Sequence, residues 1–225
     1  MKKIWIVLIA TGLCVTSAFS QDSIYQAVNK ETCFCITEKS RFAVGIKEYH
    51  DCVELALQKH MNLLLAQLKM KNADSTYYYQ KGLSYGRAIG SRLDTDLVYT
   101  CDAYFKIADT IRASVFRVSN TDSLRQELVN LNNPANTRDY QFYRRRSITY
   151  FLLGMIDEAN SDDEEVLKQQ PQNIAGLLIH AIYLENHASY LEAAAIFYQL
   201  DKITGEHAYL VSAAINNRKN RESDH

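Results

Sequence analysis

This chain contains few prolines and glycines, and its net charge is close to zero. Its 225 residues include two prolines, eight glycines and one tryptophan, and the formal net charge at pH 7 is -1. So few turn-forming residues argue against a turn-rich β fold. A charge close to zero argues against nucleic acid or another acidic polymer as a partner. The abundant residues, notably leucine, alanine, glutamate, lysine and glutamine, favour helices, and we therefore predict an all-α protein.

Several sequence motifs that are typical of enzymes are also absent. The sequence contains no His-Glu-x-x-His zinc motif, no dinucleotide-binding fingerprint and no Cys-x-x-Cys redox motif. The acidic run at residues 157–165 is interpreted as a solvated helix face, and His180 and His187 share a helix face without forming a motif. We predict a protein that is not an enzyme, with no catalytic residue, no metal and no cofactor. A metal- or thiol-dependent enzyme is the weaker alternative.

The one long apolar run lies at the amino terminus. Lys2 and Lys3 precede a short apolar core, and Ala18-Phe19-Ser20 offers small residues at a cleavage position, so residues 1–20 are predicted to be a signal peptide. The run is short for a membrane span, and an uncleaved anchor or a lipid-modified Cys14 is the alternative. We predict an exported protein, periplasmic or secreted, without a membrane span after cleavage.

Four cysteines follow this segment, namely Cys33, Cys35, Cys52 and Cys101. An even number in an exported chain predicts disulfide bonds. A bond between Cys33 and Cys35 is disfavoured because its ring would be small and strained. Two pairings stay open, Cys33–Cys52 with Cys35–Cys101, or Cys33–Cys101 with Cys35–Cys52. A metal site in which His50 joins the first three cysteines is the rival, although its spacing is unlike familiar zinc sites.

Apolar periodicity predicts a helical bundle in the N-terminal half of the chain. One stripe runs from Ile46 to Leu68, and a heptad-like seam runs from Asp94 to Val118. A further helix before residue 39 carries the first two cysteines. Between the stripe and the seam, three glycines share one helix face, where we expect another backbone to pack closely. These glycines are Gly82, Gly86 and Gly90.

Two helical hairpins are predicted after residue 138. Apolar residues at helical spacing lie on both sides of Gly154, which is suited to ending a helix, and Pro171 stops the second helix. Thr137 is the expected N-cap of the first helix. A second hairpin follows directly, and a helix at residues 208–216 is expected to cover the end of the pair.

Residues 140–217 resemble the tetratricopeptide repeat, a helical hairpin of about 34 residues. In the first hairpin the resemblance is carried by Tyr143, Ser147, Tyr150, Gly154, Ala159 and Pro171. Arg146 and Asp163 depart from the pattern, where an apolar and an aromatic residue are usual. In the second hairpin it is carried by Leu177, Ala181, Ala193, Phe197 and Leu200, while Ala188 and Gly205 replace the turn glycine and the terminal proline. Two ordinary helical hairpins are the alternative.

The resemblance implies a groove, lined by the first helix of each hairpin, that binds a peptide or protein segment. The corresponding residues here are Gln141, Arg144, Arg145, Ile148, Phe151, Leu178, Ile179, Ile182, Glu185 and Asn186. The two arginines could pair with a carboxylate of a partner in the cell envelope. We therefore expect a protein-protein interaction or assembly module; a structural envelope protein whose repeats only pack internally is the alternative.

These expectations divide the chain into four parts. They are a signal peptide at 1–20, a disulfide-containing helical domain at 21–131, two hairpins with a capping helix at 138–217, and a flexible tail at 218–225.

Overall fold

The computed structural model describes residues 16–40, 45–60, 75–114, 121–133, 135 and 137–223. All regular secondary structure in these segments is helical, which confirms the all-α prediction. The predicted signal peptide lies outside the described residues up to residue 15. The ten helices of the described segments are α1 (Thr16–Lys39), α2 (Ile46–Lys59), α3 (Ser75–Thr100), α4 (Asp102–Ser114), α5 (Asp122–Leu131), α6 (Tyr140–Leu152), α7 (Ile156–Gln169), α8 (Ile174–Asn186), α9 (Tyr190–Thr204) and α10 (His207–Ser223).

The chain forms two compact units, Met1–Leu97 and Val98–His225. The division falls near the end of α3, so α4 and α5 cluster with the hairpin helices and not with the N-terminal helices. At the other end of the chain, α10 continues as a helix to Ser223, through most of the segment expected to be a flexible tail. The C-terminal unit is therefore longer at both ends than the two hairpins inferred from sequence.

In the N-terminal unit, α1 packs against α2, and the last turns of α3 complete the core. Tyrosines on the first two helices bind carboxylates on α3. The Tyr25 hydroxyl donates to Asp96 at 2.6 Å, and the Tyr49 hydroxyl donates to Asp94. Burial and the bond to Asp96 raise the pKa of Tyr25. The fully buried apolar side chains of this unit include Val28, Ile36, Leu93 and Leu97.

A disulfide joins α1 to α2 in this unit. Cys35 and Cys52 are bonded, with 5.6 Å between their Cα atoms. Cys33 and Cys101 are disulfide-bonded as well, so the prediction that these four cysteines form disulfides is confirmed. The Cys35–Cys52 bond excludes the pairing of Cys33 with Cys52. It also removes two thiolates from the rival metal site, which required His50 with free cysteines.

The predicted helix from Asp94 to Val118 is interrupted. α3 ends at Thr100, and α4 begins at Asp102, with the Cys101 carbonyl accepting a bond from the Phe105 N–H. Buried residues continue across the break at Leu97, Cys101 and Tyr104, so the apolar period hides it. The seam residues after Ser114, and the stripe residues after His60, lie outside the described segments.

The glycines of α3 do not pack as expected. Gly86 and Gly90 are exposed, and in the described part of the chain no atom beyond the neighbouring backbone of α3 lies within 4 Å of the position that a Cβ would occupy. The expected close approach of another backbone is therefore wrong at these two positions. The surroundings of Gly82 lie outside what the structure describes.

In the C-terminal unit each helix from α5 to α10 packs against the next one along the chain, and α4 packs against α10. α6 also contacts α8, so the first helices of the two hairpins lie side by side. Two clusters form the core. One is centred on Phe197, between α8, α9 and α10, and the other joins Phe151, Ala159 and Ile179. These stacked pairs are compatible with a helical repeat.

Equivalent features recur at a spacing of 34 residues within this unit. The Asp139 carboxylate caps α6 by accepting from the Phe142 N–H at 2.9 Å, and the Asn173 side chain caps α8 by accepting from the Gly176 N–H at 3.0 Å. Thr137 is therefore not the N-cap of α6. The caps lie 34 residues apart in the sequence, and so do the fully buried Ala159 and Ala193.

Candidate binding surface

Two of the predicted groove residues lie in the core. Phe151 and Ile179 are buried, and with Ala159 they form the cluster between α6, α7 and α8. Their side chains therefore hold the helices together and are not available to a partner in this structure. The resemblance to the tetratricopeptide repeat placed them on the first helices of the hairpins, but it did not separate the packed side of those helices from the open side.

The other apolar groove residues are half-buried. Ile148 and Ile182 pack against the Phe151 cluster, and Leu178 packs against the Phe197 cluster. Each keeps part of its surface accessible. They form the edge of the core along α6 and α8, so an apolar surface is present there, although it is narrower than the ten-residue groove that was predicted.

The polar residues at the start of α6 are exposed. Gln141, Arg144 and Arg145 all lie on the surface, and Arg145 pairs with Glu127 of α5 at 2.9 Å. Within the described residues, no ion pair restrains Arg144. Beside them α5 and α6 border an open cleft of about 570 Å³. Its lining includes Gln126, Glu127, Asn130, Gln141, Phe142 and Arg145.

Glu185, at the other end of the predicted groove, is covered by α4. The Arg112 guanidinium of α4 binds both oxygens of the Glu185 carboxylate, and Lys219 of α10 reaches the same carboxylate at 2.9 Å. Asp109 joins the cluster by accepting from Arg112 at 2.8 Å and by pairing with Lys219 at 2.9 Å. Burial would raise the pKa of Glu185, but the bonds and charges of Arg112 and Lys219 outweigh it and hold that pKa below its usual value. Asn186, the next residue, is exposed.

A second set of contacts fixes the start of α4 on α10. The Arg218 guanidinium donates to the Val98 carbonyl at 2.8 Å and to the Asp102 carboxylate at 2.5 Å. It also lies over the Phe105 ring, 4.2 Å from the centroid. The sequence carried no signal for these contacts, because the pairs are more than a hundred residues apart and α10 was expected to end before Arg218.

The two departures from the repeat pattern lie close together in the hairpin of α6 and α7. Arg146 makes two bonds of 2.6 Å to the Asp162 carboxylate, and its guanidinium lies 4.6 Å above the Phe142 ring. These bonds raise the pKa of Arg146. An ion pair stacked on an aromatic ring thus occupies a place where an apolar contact was expected.

Asp163, the other departure, is a buried acid. Desolvation, together with the neighbouring Asp162 charge, raises the pKa of Asp163 to about 7. Its Oδ1 lies 3.0 Å from the position that a Cβ of Gly176 would occupy, so α8 can approach α7 here because residue 176 is a glycine. The residue 34 positions later, Phe197, fills the equivalent space with a buried ring.

Residues 82–86 have the Gly-x-Ser-x-Gly spacing of hydrolase nucleophile elbows, in addition to the glycine spacing that predicted close helix packing. In such an elbow the serine stands on a sharp turn between a strand and a helix. Here Ser84 lies inside α3, which is continuous from Ser75 to Thr100. The segment therefore lacks the geometry that would present a nucleophile.

Comparisons with protein families, curated proteins and solved structures find no match to this chain. None of the described helices is both long enough and apolar enough to cross a bilayer. In the same segments, no three histidine, cysteine or acidic side chains are grouped so that they could hold a metal ion. The surface features above are therefore the basis for assigning a function.

Proposed function

We propose that this protein is an exported, non-catalytic protein-protein interaction or assembly module, built on a tetratricopeptide-like stack of helical hairpins. The recurrence of caps, turns and buried alanines at 34 residues supports the repeat assignment. The disulfide-bonded cysteines and the signal-like first 20 residues support action in an oxidising compartment, periplasmic or extracellular.

One observation carries the proposal. Arg144 and Arg145 are exposed beside each other on the first helix of the stack, and Arg145 lines the cleft between α5 and α6. Guanidinium groups form two-pronged hydrogen bonds to carboxylates. The half-buried Ile148, one turn further along α6, adds an apolar contact. An acidic segment of a partner protein fits this combination.

The test reverses the charge at both arginines and measures crosslinking in the native compartment. Arg144→Glu with Arg145→Glu should reduce crosslinking to the partner roughly tenfold or more, because removal of buried charge pairs at interfaces costs that much affinity. The matched control is Lys202→Glu, which reverses an exposed charge on α9. Circular dichroism should show unchanged helicity for both variants. Equal crosslinking by the charge-reversed protein and the control would contradict the proposed surface.

A structural role is the second candidate, and the Arg112–Glu185–Lys219 cluster favours it. That cluster uses part of the predicted groove for contacts within the chain. If the repeats served only internal packing, the Arg144 and Arg145 exchange would leave the crosslinking pattern of the protein unchanged. Substitution of Glu185 would then lower stability without changing any partner contact.

A further inference from the structure

Glu185 on α8 and Lys219 on α10 define one face of the helical stack, which we call the Glu185–Lys219 face. They lie 34 residues apart, so they occupy equivalent places on α8 and α10. The sequence had already assigned Glu185 to the groove. Both side chains are bound by α4, whose Arg112 meets Glu185 and whose Asp109 meets Lys219. The Glu185–Lys219 face is thus covered by a helix from elsewhere in the chain.

Ion pairs join α4 to this face, and few residues of α4 are fully buried. Of the 13 residues of α4, Tyr104 alone is buried, whereas α8 and α9 each bury four residues. Ion pairs and the Phe105 ring beneath Arg218 add to this attachment, beside the half-buried Ile107, Ala108 and Ile111. Arg112 Nε is buried and finds no acceptor among the described residues, so the fit of α4 leaves a donor unsatisfied.

We propose that the Glu185–Lys219 face is a binding site for a helical segment of a partner protein, and that α4 occupies the site when the partner is absent. The side chains of α4 define the chemistry that fits. Phe105, Asp109 and Arg112 stand at positions i, i+4 and i+7 and lie on one side of a helix. The partner segment presents an aromatic residue, an acid and an arginine at the same spacing.

This inference rests on the proposed function, since it assigns a second recognition surface to the same stack. It also has a thermodynamic consequence. A partner that competes with α4 binds with an affinity reduced by the fraction of molecules in which α4 is released. Weakening the α4 contact therefore strengthens partner binding, the opposite of what a purely structural ion-pair cluster would produce.

The experiment titrates full-length oxidised protein with a labelled peptide of residues 102–114, capped at both ends. Arg112→Ala in the protein loosens α4, and this variant should bind the peptide about tenfold tighter than the unmodified protein does. The matched control is Arg125→Ala, an exposed arginine on α5, which should bind as the unmodified protein does. A peptide in which the arginine is alanine, or Glu185→Gln in the loosened protein, should weaken binding about tenfold.

Hydrogen exchange of the backbone amides distinguishes the release of α4 from a change in the stability of the whole unit. Peptide binding should speed exchange in α4 while exchange in α8, α9 and α10 stays slow. The proposal is overturned if α4 exchanges fast in the Arg112→Ala variant and the peptide still does not bind. If that variant fails to fold, Asp109→Asn replaces it, because it removes the pair between α4 and Lys219 and leaves Glu185 and Lys219 unchanged. An Asp109→Asn protein in which α4 exchanges fast and the peptide does not bind would overturn the proposal equally.

The outcome for the partner separates this inference from the function on which it rests. Crosslinking that depends on Arg144 and Arg145 but persists under saturating peptide leaves the interaction module standing and rejects a partner at the Glu185–Lys219 face. Crosslinking that the peptide abolishes supports both. Crosslinking that is indifferent to the two arginines but abolished by the peptide supports this site and rejects the α6 surface.

Discussion

Ala188 adopts the same left-handed backbone conformation as Gly154, the residue 34 positions before it. The φ angles are 58° and 77°, and each residue forms the turn between the two helices of its hairpin. Glycine takes this conformation freely, whereas an L-residue in it carries a cost of about 1 kcal/mol. The second hairpin thus has the same turn geometry as the first, with an alanine in place of the residue that adopts it most easily.

Exchanging the two residue types should shift stability in opposite directions. Ala188→Gly should raise the free energy of unfolding by about 1 kcal/mol, and Gly154→Ala should lower it by a similar amount. Apart from the two chain neighbours of Gly154, no heavy atom of the described residues lies within 4 Å of a Cβ built there, so the expected loss comes from backbone strain and not from a clash. Urea unfolding of the oxidised protein, followed by circular dichroism, measures both changes.

Gly86→Ala is the control for this pair. Gly86 lies exposed in the interior of α3, where alanine is favoured over glycine by about 1 kcal/mol. The same chemical change should therefore stabilise the protein at residue 86 and destabilise it at residue 154. A gain in stability from Gly154→Ala would contradict the argument from backbone conformation.

Asp163 should make the stability of the C-terminal unit fall as the pH rises toward neutrality. Its pKa in the folded protein is about 7, above that of an unfolded aspartate, so the folded state holds the proton more firmly. The stabilisation from protonated Asp163 is complete below pH of about 4 and is lost as the pH rises through 7. Urea midpoints at pH 5, 6, 7 and 8 should record this decline.

The variant Asp163→Asn should lack that part of the pH dependence. At pH 8 it should be more stable than the unmodified protein by roughly 1–3 kcal/mol, because a buried charge is replaced by a neutral group of the same size. Glu158→Gln, which changes an exposed carboxylate on the same helix, should follow the unmodified profile. Parallel profiles for all three proteins would show that Asp163 does not titrate in this range.

Local patterns accounted for the four hairpin helices, α6 to α9, and for the turns within the hairpins. Gly154 ended one helix as predicted, and the apolar spacing around it located α6 and α7. The spacing at residues 94–118 failed to show the break at Cys101, because buried residues recur in phase on both sides of it. Periodicity reports which residues share a face and is silent on whether the backbone is continuous.

Contacts between distant segments account for what the sequence did not show. Arg112 and Glu185 are 73 residues apart, and no local sequence pattern around either residue predicts their contact. The cover that α4 provides depends on the position of α10, which in turn depends on the packing of α9. Exposure of a helix face is therefore a property of the assembled unit, and a groove inferred from one helix at a time includes residues that the fold buries.

Arg146 and Asp162 should be strongly coupled in stability. Their side chains are 20% and 7% exposed, so removing either partner leaves a charge in a mostly buried place. Arg146→Leu or Asp162→Leu alone should lower the free energy of unfolding by about 3 kcal/mol. The double variant should lose much less than the sum of the two, since an apolar pair can replace a buried ion pair at little cost.

The comparison for this cycle is the exposed pair Arg145–Glu127, whose side chains are 61% and 36% exposed. Its single and double leucine variants should each change stability by less than about 1 kcal/mol, as is usual for ion pairs in solvent. Additive losses at Arg146 and Asp162 would mean that the two side chains act independently in spite of the two short bonds between them.

The Cys35–Cys52 bond should stabilise α1 and α2 and leave the hairpins unaffected. It links residues 17 positions apart, and closing a loop of that size contributes about 3 kcal/mol by restricting the unfolded chain. Cys35→Ser with Cys52→Ser should therefore speed amide exchange in α1 and α2. Exchange in α7 and α9, which belong to the other compact unit, should not change.

Because Cys52 is fully buried, part of the loss comes from placing a hydroxyl in the core, and Cys35→Ala with Cys52→Ala isolates the contribution of the bond itself. If the alanine pair exchanged as slowly as the oxidised protein, packing between the two helices would hold this unit together without the disulfide.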